Sequence, residues 1–245
     1  MNKRRRKFWN IPPEEEQTGL LLWFQILQKH YLTLLYANAI AVASLLPGAY
    51  FVYLLAQTGD LVFWGPGLLC FTLAAPCQTG LHSVCVRLVH RMPVWVKEDF
   101  LRAIRVEWKK SMLLGLMLGL LWSGLSYSVY VVIAVDGGLS VGYLLMFCLT
   151  GYVLTGISLF GFQQVAMLEL PLGTAVKNAV LLVFAGKMRS FFGILTWTAF
   201  VLIPTIYYGL AVYMLLLGWL AIGVMTVNVI FAPVFSRLCL RGEDV

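Results

Sequence analysis

The run MLLGLMLGLLWSGLSYSVYVVIAV, Met112 to Val135, decides the fold. It holds no charged residue from end to end, and about 20 apolar residues suffice for a helix to cross the hydrocarbon core of a bilayer. A continuous apolar run of that length buries its backbone polar groups in its own helical hydrogen bonds, as lipid requires. Working outward, runs of the same kind extend over Tyr31 to Leu55, Leu61 to Val89, Leu139 to Leu168, Phe191 to Leu216 and Gly218 to Phe235. Arg87 is the single charge inside them, near an end where its long side chain can snorkel to the headgroups. Gly65-Pro66-Gly67 and Pro76 interrupt the second run and Pro204 the fifth, so neither need be a straight helix.

Composition agrees with this reading. The 245 residues are 60% hydrophobic and 12% charged, with mean hydropathy +0.84, whereas soluble domains average roughly 45 to 50% and 25%. The expected fold class is an all-α integral membrane protein, a six-transmembrane-helix bundle that leaves no room for a soluble catalytic domain. Residues 1–30 form a basic N-terminal segment in this reading, 31–236 one membrane domain, and 237–245 a short tail.

The net charge of +7 is explained by topology before nucleic acid need be invoked. All 18 Lys and Arg fall at Lys3 to Lys7 with Lys29, from Arg87 to Lys110, from Lys177 to Arg189, and at Arg237 and Arg241. The alternate connections, around Gln57 to Asp60, Asp136 to Ser140 and Leu217, hold none, and two of them carry an acid, Asp60 and Asp136. The positive-inside rule then puts both termini in the cytoplasm. The N-terminal basic run leads into Ile11-Pro12-Pro13-Glu14-Glu15-Glu16 and not into an apolar core, so no cleavable signal peptide is expected.

Two cytoplasmic connections have the pattern of interfacial amphipathic helices. Between Pro93 and Lys110, Trp95, Phe100, Leu101, Ile104 and Trp108 recur near helical spacing, and Lys97, Glu98, Arg102, Arg105 and Lys109 take the other face, with Glu98 set to pair with Arg102. Such a helix lies on the membrane and faces lipid or a partner. After Pro171, Thr174 is placed to cap a second helix with an apolar stripe of Val176, Ala179, Val180, Val183 and Phe184, ending at Gly186. Each connection begins with an apolar-Pro pair, Met92-Pro93 or Leu170-Pro171, and re-enters the membrane at a serine, Ser111 or Ser190. This hints at a degenerate parallel repeat.

The stretch Pro93-Val94-Trp95-Val96-Lys97-Glu98-Asp99-Phe100-Leu101-Arg102-Ala103-Ile104-Arg105, followed by Lys109-Lys110-Ser111 and a Leu/Gly-rich span, resembles the aromatic-Asp-Phe-x-x-Ala-basic signature of the YesL-like bacterial membrane proteins. Leu170-Pro171-Leu172, Ala175-Val176-Lys177-Asn178-Ala179 and then Arg189 are similar to a later segment of that family, so the likeness runs in order from about Pro76 to the end. Upstream the chain departs from the pattern, with Ala75-Pro76 in place of a Gly-Pro turn and Gly65-Pro66-Gly67 as an insertion. The resemblance implies a six-helix plasma-membrane protein of Gram-positive bacteria without an agreed biochemical activity. Such proteins are often encoded beside carbohydrate-uptake permeases and glycan-degrading enzymes, which implies a role in saccharide import.

No HExxH, GxSxG or Walker A motif is present, and the spans contain no pair of acids, so an enzyme is not expected. The cysteines, Cys70, Cys77, Cys85, Cys148 and Cys239, show no metal-ligand spacing, and neither a cofactor nor a metal is expected. The intramembrane polar residues are Asn38, Gln78, His82, Gln163, Gln164 and Asn228. They either bridge helices by hydrogen bonds or line a central polar cleft. Aromatics gather near the outer ends of the spans, at Tyr50, Tyr53, Phe63, Trp64, Tyr127, Tyr130, Tyr143, Tyr213 and Trp219, as a belt or as a stacking mouth. Gly115 and Gly119, at small-xxx-small spacing, offer a stripe for close helix docking. Three functions fit: an accessory subunit docking on a carbohydrate permease of the ABC type, a stand-alone facilitator, and a scaffold or lipid-binding protein. Membrane lipids are partners in all three.

Overall fold

A computed structural model describes residues 19–136, 138, 140–168 and 170–235, and its regular elements are all helical. Eight α-helices follow in order: α1 Leu20–Thr58, α2 Trp64–Val89, α3 Val96–Asp136, α4 Val141–Met167, α5 Leu172–Ala185, α6 Lys187–Ile206, α7 Tyr208–Leu216 and α8 Trp219–Phe235. Four stretches have the length and apolar character to cross a membrane: α1, Leu61–Val89, Val96–Val135 and α4. The pair α5 and α6, bent by 104° at its break, makes a fifth if counted as one span. The chain is thus a multi-pass helical membrane protein. The readings of Lys3 to Lys7, Arg237, Cys239, Arg241 and the tail 237–245 concern residues outside the described ones.

Local chemistry sets the helix ends. Gly59 closes α1 in a left-handed conformation at φ 68°, its N–H bonded to Leu55 O. Asp60 then accepts from Val62 N at 3.0 Å to start the 3-10 turn Leu61–Phe63 that feeds α2. Ser140 accepts from Tyr143 N at 3.4 Å at the head of α4.

The boundaries differ from the sequence reading at five places. The first helix starts at Leu20 and not at Tyr31, so the end of the 1–30 segment is already helical. Its one non-helical residue, His30 (φ −125°, ψ 21°), falls where the apolar run begins. Leu20–Lys29 is therefore an arm, pinned by buried Leu22 and Ile26 and by Trp23 Nε1 donating to Thr226 Oγ1 of α8 at 2.9 Å. In the second span, Gly65-Pro66-Gly67 and Pro76 leave α2 continuous, since Pro66 lies in its first turn, where a missing N–H costs nothing.

The third difference corrects the first interfacial helix: it is no separate element but the opening of α3, which runs unbroken through Ser111. No Gly or Pro falls between Val96 and Lys110 to stop it. Fourth, Thr174 does not cap α5, which already begins at Leu172 with Ala175 N bonded to Pro171 O at 3.0 Å. Fifth, the run Phe191 to Leu216 divides at Tyr207, three residues after Pro204, into α6 and α7.

Two buried clusters hold the helices together. One gathers Leu114, Phe160, Val183, Ile194 and Phe231, and the other Leu34, Leu81, Phe100, Ala221 and Met225. Only α2, α3 and α8 contribute to both. Although α8 has just 17 residues, more than half of it is enclosed: Ala221, Gly223, Val224, Met225, Val227, Asn228, Val229, Phe231 and Phe235 are all buried. The outer halves of α3 and α4 are the reverse case. No residue from Leu120 to Val135 is buried, and between Val141 and Thr150 only Phe147 is.

Candidate functional site

The six intramembrane polar residues do not form one cleft. Asn38 is a bracket: from α1 its Nδ2 donates to Leu215 O near the end of α7 at 2.6 Å, while its Oδ1 accepts from Ala221 N in the first turn of α8 at 3.1 Å. One amide thereby adds a donor to a helix-end carbonyl that Gly218 N also reaches and pairs a helix-start N–H. Gln78, half-buried, donates to Ala41 O of α1 at 3.5 Å. Asn228 donates to Val224 O of its own helix at 2.7 Å, and its Oδ1 finds no partner among the described residues.

The other three lie on α2 and α4. His82 is buried and stacks on Phe162 with ring centroids 6.1 Å apart. Gln163 and Gln164 follow Phe162, both buried, Gln164 at 0% exposure. Neither the His82 Nδ1 nor either amide atom of Gln164 has a hydrogen-bond partner among the described residues.

The sequence reading missed the residues that complete this locus. Thr79 and Ser111, both fully buried, share a hydroxyl–hydroxyl bond of 2.7 Å between α2 and α3. On α3, Leu114 packs on Gly161 of α4, leaving an added Cβ only 3.3 Å, and Leu125 meets Gly151 farther out, so α3 and α4 run antiparallel. Three residues along each helix from the Leu114–Gly161 contact stand Ser111 on α3 and Gln164 on α4. One turn farther, His82 follows Thr79 and Glu107 precedes Ser111. Glu107 is buried and pairs with Lys110 at 2.8 Å. The Thr79–Ser111 bond thus joins α2 to α3, with Glu107 one turn before Ser111 on α3 and His82 one turn after Thr79 on α2. The signal for Glu107 and Ser111 lay in the buried stripe Phe100, Ala103, Glu107, Ser111, Leu114 and Leu118, whose helical spacing crosses the boundary at which the run had been divided.

The opening of α3 also turns differently from expectation. Phe100 is fully buried against Gly80 of α2, where a Cβ would lie 3.1 Å from its ring, and Ile104 is half-buried. Trp95 and Trp108, expected on the same face, are 72% and 46% exposed. Lys97, Arg102, Arg105 and Lys109 are exposed as expected, with Lys109 Nζ 5.4 Å from the Trp108 ring. Arg87 does more than snorkel: it pairs with Asp99 at 3.0 Å, and Asp99 also accepts from Trp95 N at 2.8 Å. One carboxylate therefore ties the end of α2 to the start of α3.

Gly115 and Gly119 dock α3 on α2 within the chain. A Cβ on Gly115 would come 2.5 Å from Ala75 Cβ, and one on Gly119 would come 2.5 Å from a Leu68 methyl. The aromatics Tyr50, Tyr53, Trp64, Tyr127, Tyr130, Tyr143 and Tyr213 are exposed, in keeping with a belt, whereas Trp219 turns in to donate to Phe200 O at 2.7 Å. Among the described residues, Cys70, Cys77, Cys85 and Cys148 are free, and no group of three or more His, Cys, Asp or Glu could hold a metal.

No family model matches the chain, and comparisons with curated proteins and with solved structures returned no match. The likeness to the YesL-like proteins rests on the quoted residues alone.

Proposed function

We propose that the chain is a non-enzymatic accessory protein of a bacterial plasma membrane that docks on another membrane subunit. The observation that carries this reading is the bare outer half of the α3–α4 hairpin. From Leu120 to Val135 no residue is buried and from Val141 to Thr150 only Phe147 is, and Leu121, Trp122, Ile133, Leu145 and Leu149 are exposed. A two-helix arm with apolar flanks, projecting from a bundle whose own core is complete, suits a second set of membrane helices. The resemblance names the partner class, a permease of the ABC type that imports oligosaccharide.

In the full reading the chain crosses six times with both termini cytoplasmic, α6 with α7 forming the fifth span and α8 the sixth. The segregation of Lys and Arg supports this. The basic, Trp-bearing opening of α3 then lies at the inner leaflet, where Lys97, Arg105 and Lys109 meet anionic headgroups or a cytoplasmic partner.

The test is co-purification from the native membrane. A permease subunit is expected to accompany the wild-type chain and to be lost when Leu121 and Leu145 are both changed to Trp, variants that leave the core untouched. Recovery of the wild type without any membrane partner sinks the proposal. The facilitator reading is favoured by one observation, the unpaired polar atoms of His82 and Gln164. Saccharide flux through the purified protein in liposomes, abolished by His82→Ala, would establish it instead.

A further inference from the structure

We infer that the cleft between α6, α7 and α8 is a binding site for one acyl chain of a membrane phospholipid. The inference rests on the chain being a membrane protein and is independent of the accessory reading.

The cleft is built around a proline. In an unbroken helix the N–H of residue 204 bonds to Phe200 O, but Pro204 has none, and in a bilayer no water takes its place. Trp219, at the start of α8, supplies the missing donor: its Nε1 bonds to Phe200 O at 2.7 Å, and the two rings lie 4.6 Å apart. Beside this contact is a cavity of about 170 Å³, lined by Trp197, Phe200, Val201 and Pro204 of α6, Leu215 of α7 and Trp219 of α8. Trp197 and Phe200 stand against Gly223 of α8, where an added Cβ would come 3.1 Å from the first ring and 3.0 Å from the second. The aromatic wall is therefore braced from behind.

Chemistry selects the ligand. Almost no polar atom faces the cavity, and the indole N–H and the carbonyl that border it are spent on each other. Such a site offers a sugar no hydrogen bond, whereas an apolar cavity of about 150 Å³ stays dry and takes up a benzene-sized molecule. Residues 190–235 carry no charged side chain, so a headgroup finds no ionic partner beside the cleft and the tail alone is recognised. Access agrees with this choice. The cavity is open on one side, and Val201 and Leu202, both 49% exposed, make it continuous with the apolar surface that meets lipid. A second transmembrane helix, ~10–12 Å across with its side chains, is too thick to enter. The end of an acyl chain fits, and it restores the dispersion contacts that an empty gap forfeits.

The test uses the full chain, purified into nanodiscs with a phosphatidylcholine whose acyl chain ends in a diazirine, then irradiated and mapped by mass spectrometry. The outer half of the α3–α4 hairpin, bare of any partner in that setting, meets bulk lipid and serves as the reference. Label is expected to be several-fold denser on 197–204 and 215–220 than on Leu121 and Leu145, and to survive a detergent wash before irradiation. Equal label on the two surfaces, or loss of the lipid on washing, overturns the inference. Phosphatidylglycerol with the same tail should label the cleft equally; labelling by the anionic lipid alone overturns recognition by the tail. In native membranes the cleft label should persist, and its loss there makes the occupant a side chain of another membrane subunit and overturns the assignment. Val201→Phe, whose ring takes the space of the tail, is expected to lose the cleft label and keep the hairpin label. Cleft label as strong as in the wild type overturns the cleft as the site.

Discussion

Two residues show how far a single side chain can be read. Gly115 was marked by its spacing to Gly119, and its place against Ala75 makes the cost of a side chain calculable. Gly115→Leu forces α2 and α3 apart, and we expect a loss of at least about 1–3 kcal/mol, the usual range for overpacking. Gly124, nine residues on, has open space around its Cα position, so Gly124→Leu is expected to be neutral or slightly stabilising, since glycine is a poor helix former. Melting of the two variants in detergent checks the contrast. Asn38 was legible as a buried amide and illegible as a bracket, because its partners are backbone atoms of Leu215 and Ala221, some 180 positions away in the chain. Asn38→Ala takes the acceptor from Ala221 N and one donor from Leu215 O and is expected to cost about 1–3 kcal/mol, above the average of ~0.6 kcal/mol for a hydrogen bond in a membrane protein. Asn38→Asp, whose carboxylate keeps the acceptor but loses the donor, should not restore the melting temperature.

The helix α3 is the element that sequence reading divided wrongly. The switch from charged to uncharged residues at Ser111 marks a change of environment, and composition cannot say whether the backbone breaks where the environment changes. The buried stripe answers, since Phe100, Ala103, Glu107, Ser111, Leu114 and Leu118 hold one helical register through the switch. The α5–α6 pair repeats that register relative to its own serine: Ala179, Leu182, Gly186, Ser190 and Gly193 are buried at the same offsets. The hint of a repeat therefore has a structural counterpart, with a difference at Gly186, where the second copy bends by 104°. Lys187 stands just after the bend at φ 47°, a conformation that favours glycine. At this scale the stability of α3 rests on Phe100 more than on the two tryptophans. Phe100→Ala is expected to cost about 3–5 kcal/mol, as for other buried aromatics, while Trp108→Ala and Arg105→Gln should leave the unfolding midpoint within ~0.5 kcal/mol of wild type. Ile104→Asp, half-buried, should fall between them. Chemical denaturation of the four variants orders them.

For the whole molecule, the apolar runs and their segregated charges made the fold class legible, and four of the six expected spans are single helices of sufficient length. The break between α6 and α7 falls three residues after Pro204, which already marked the fifth run as interrupted, whereas the turn before the short α8 rests on Gly218 at φ 91°, a backbone conformation that a hydropathy count ignores. Topology is open to direct measurement. On a cysteine-free background, single cysteines at Gln57 and Gly138 are expected to react with an impermeant reagent from outside and those at Lys97 and Lys187 only after permeabilisation. Reversal at either pair excludes six crossings with cytoplasmic termini. The position of α8 bears on the order of assembly during synthesis. This helix leaves the ribosome after the seven before it, yet α1, α2, α4 and α6 close around it, with Asn38, Trp23, Cys85, Phe160 and Phe200 all waiting for atoms it supplies. The earlier helices must therefore remain in the bilayer as a loose, unfinished group until α8 has been made, and a chain halted before Trp219 should be degraded as a misfolded fragment even though every one of its longest helices has already been made.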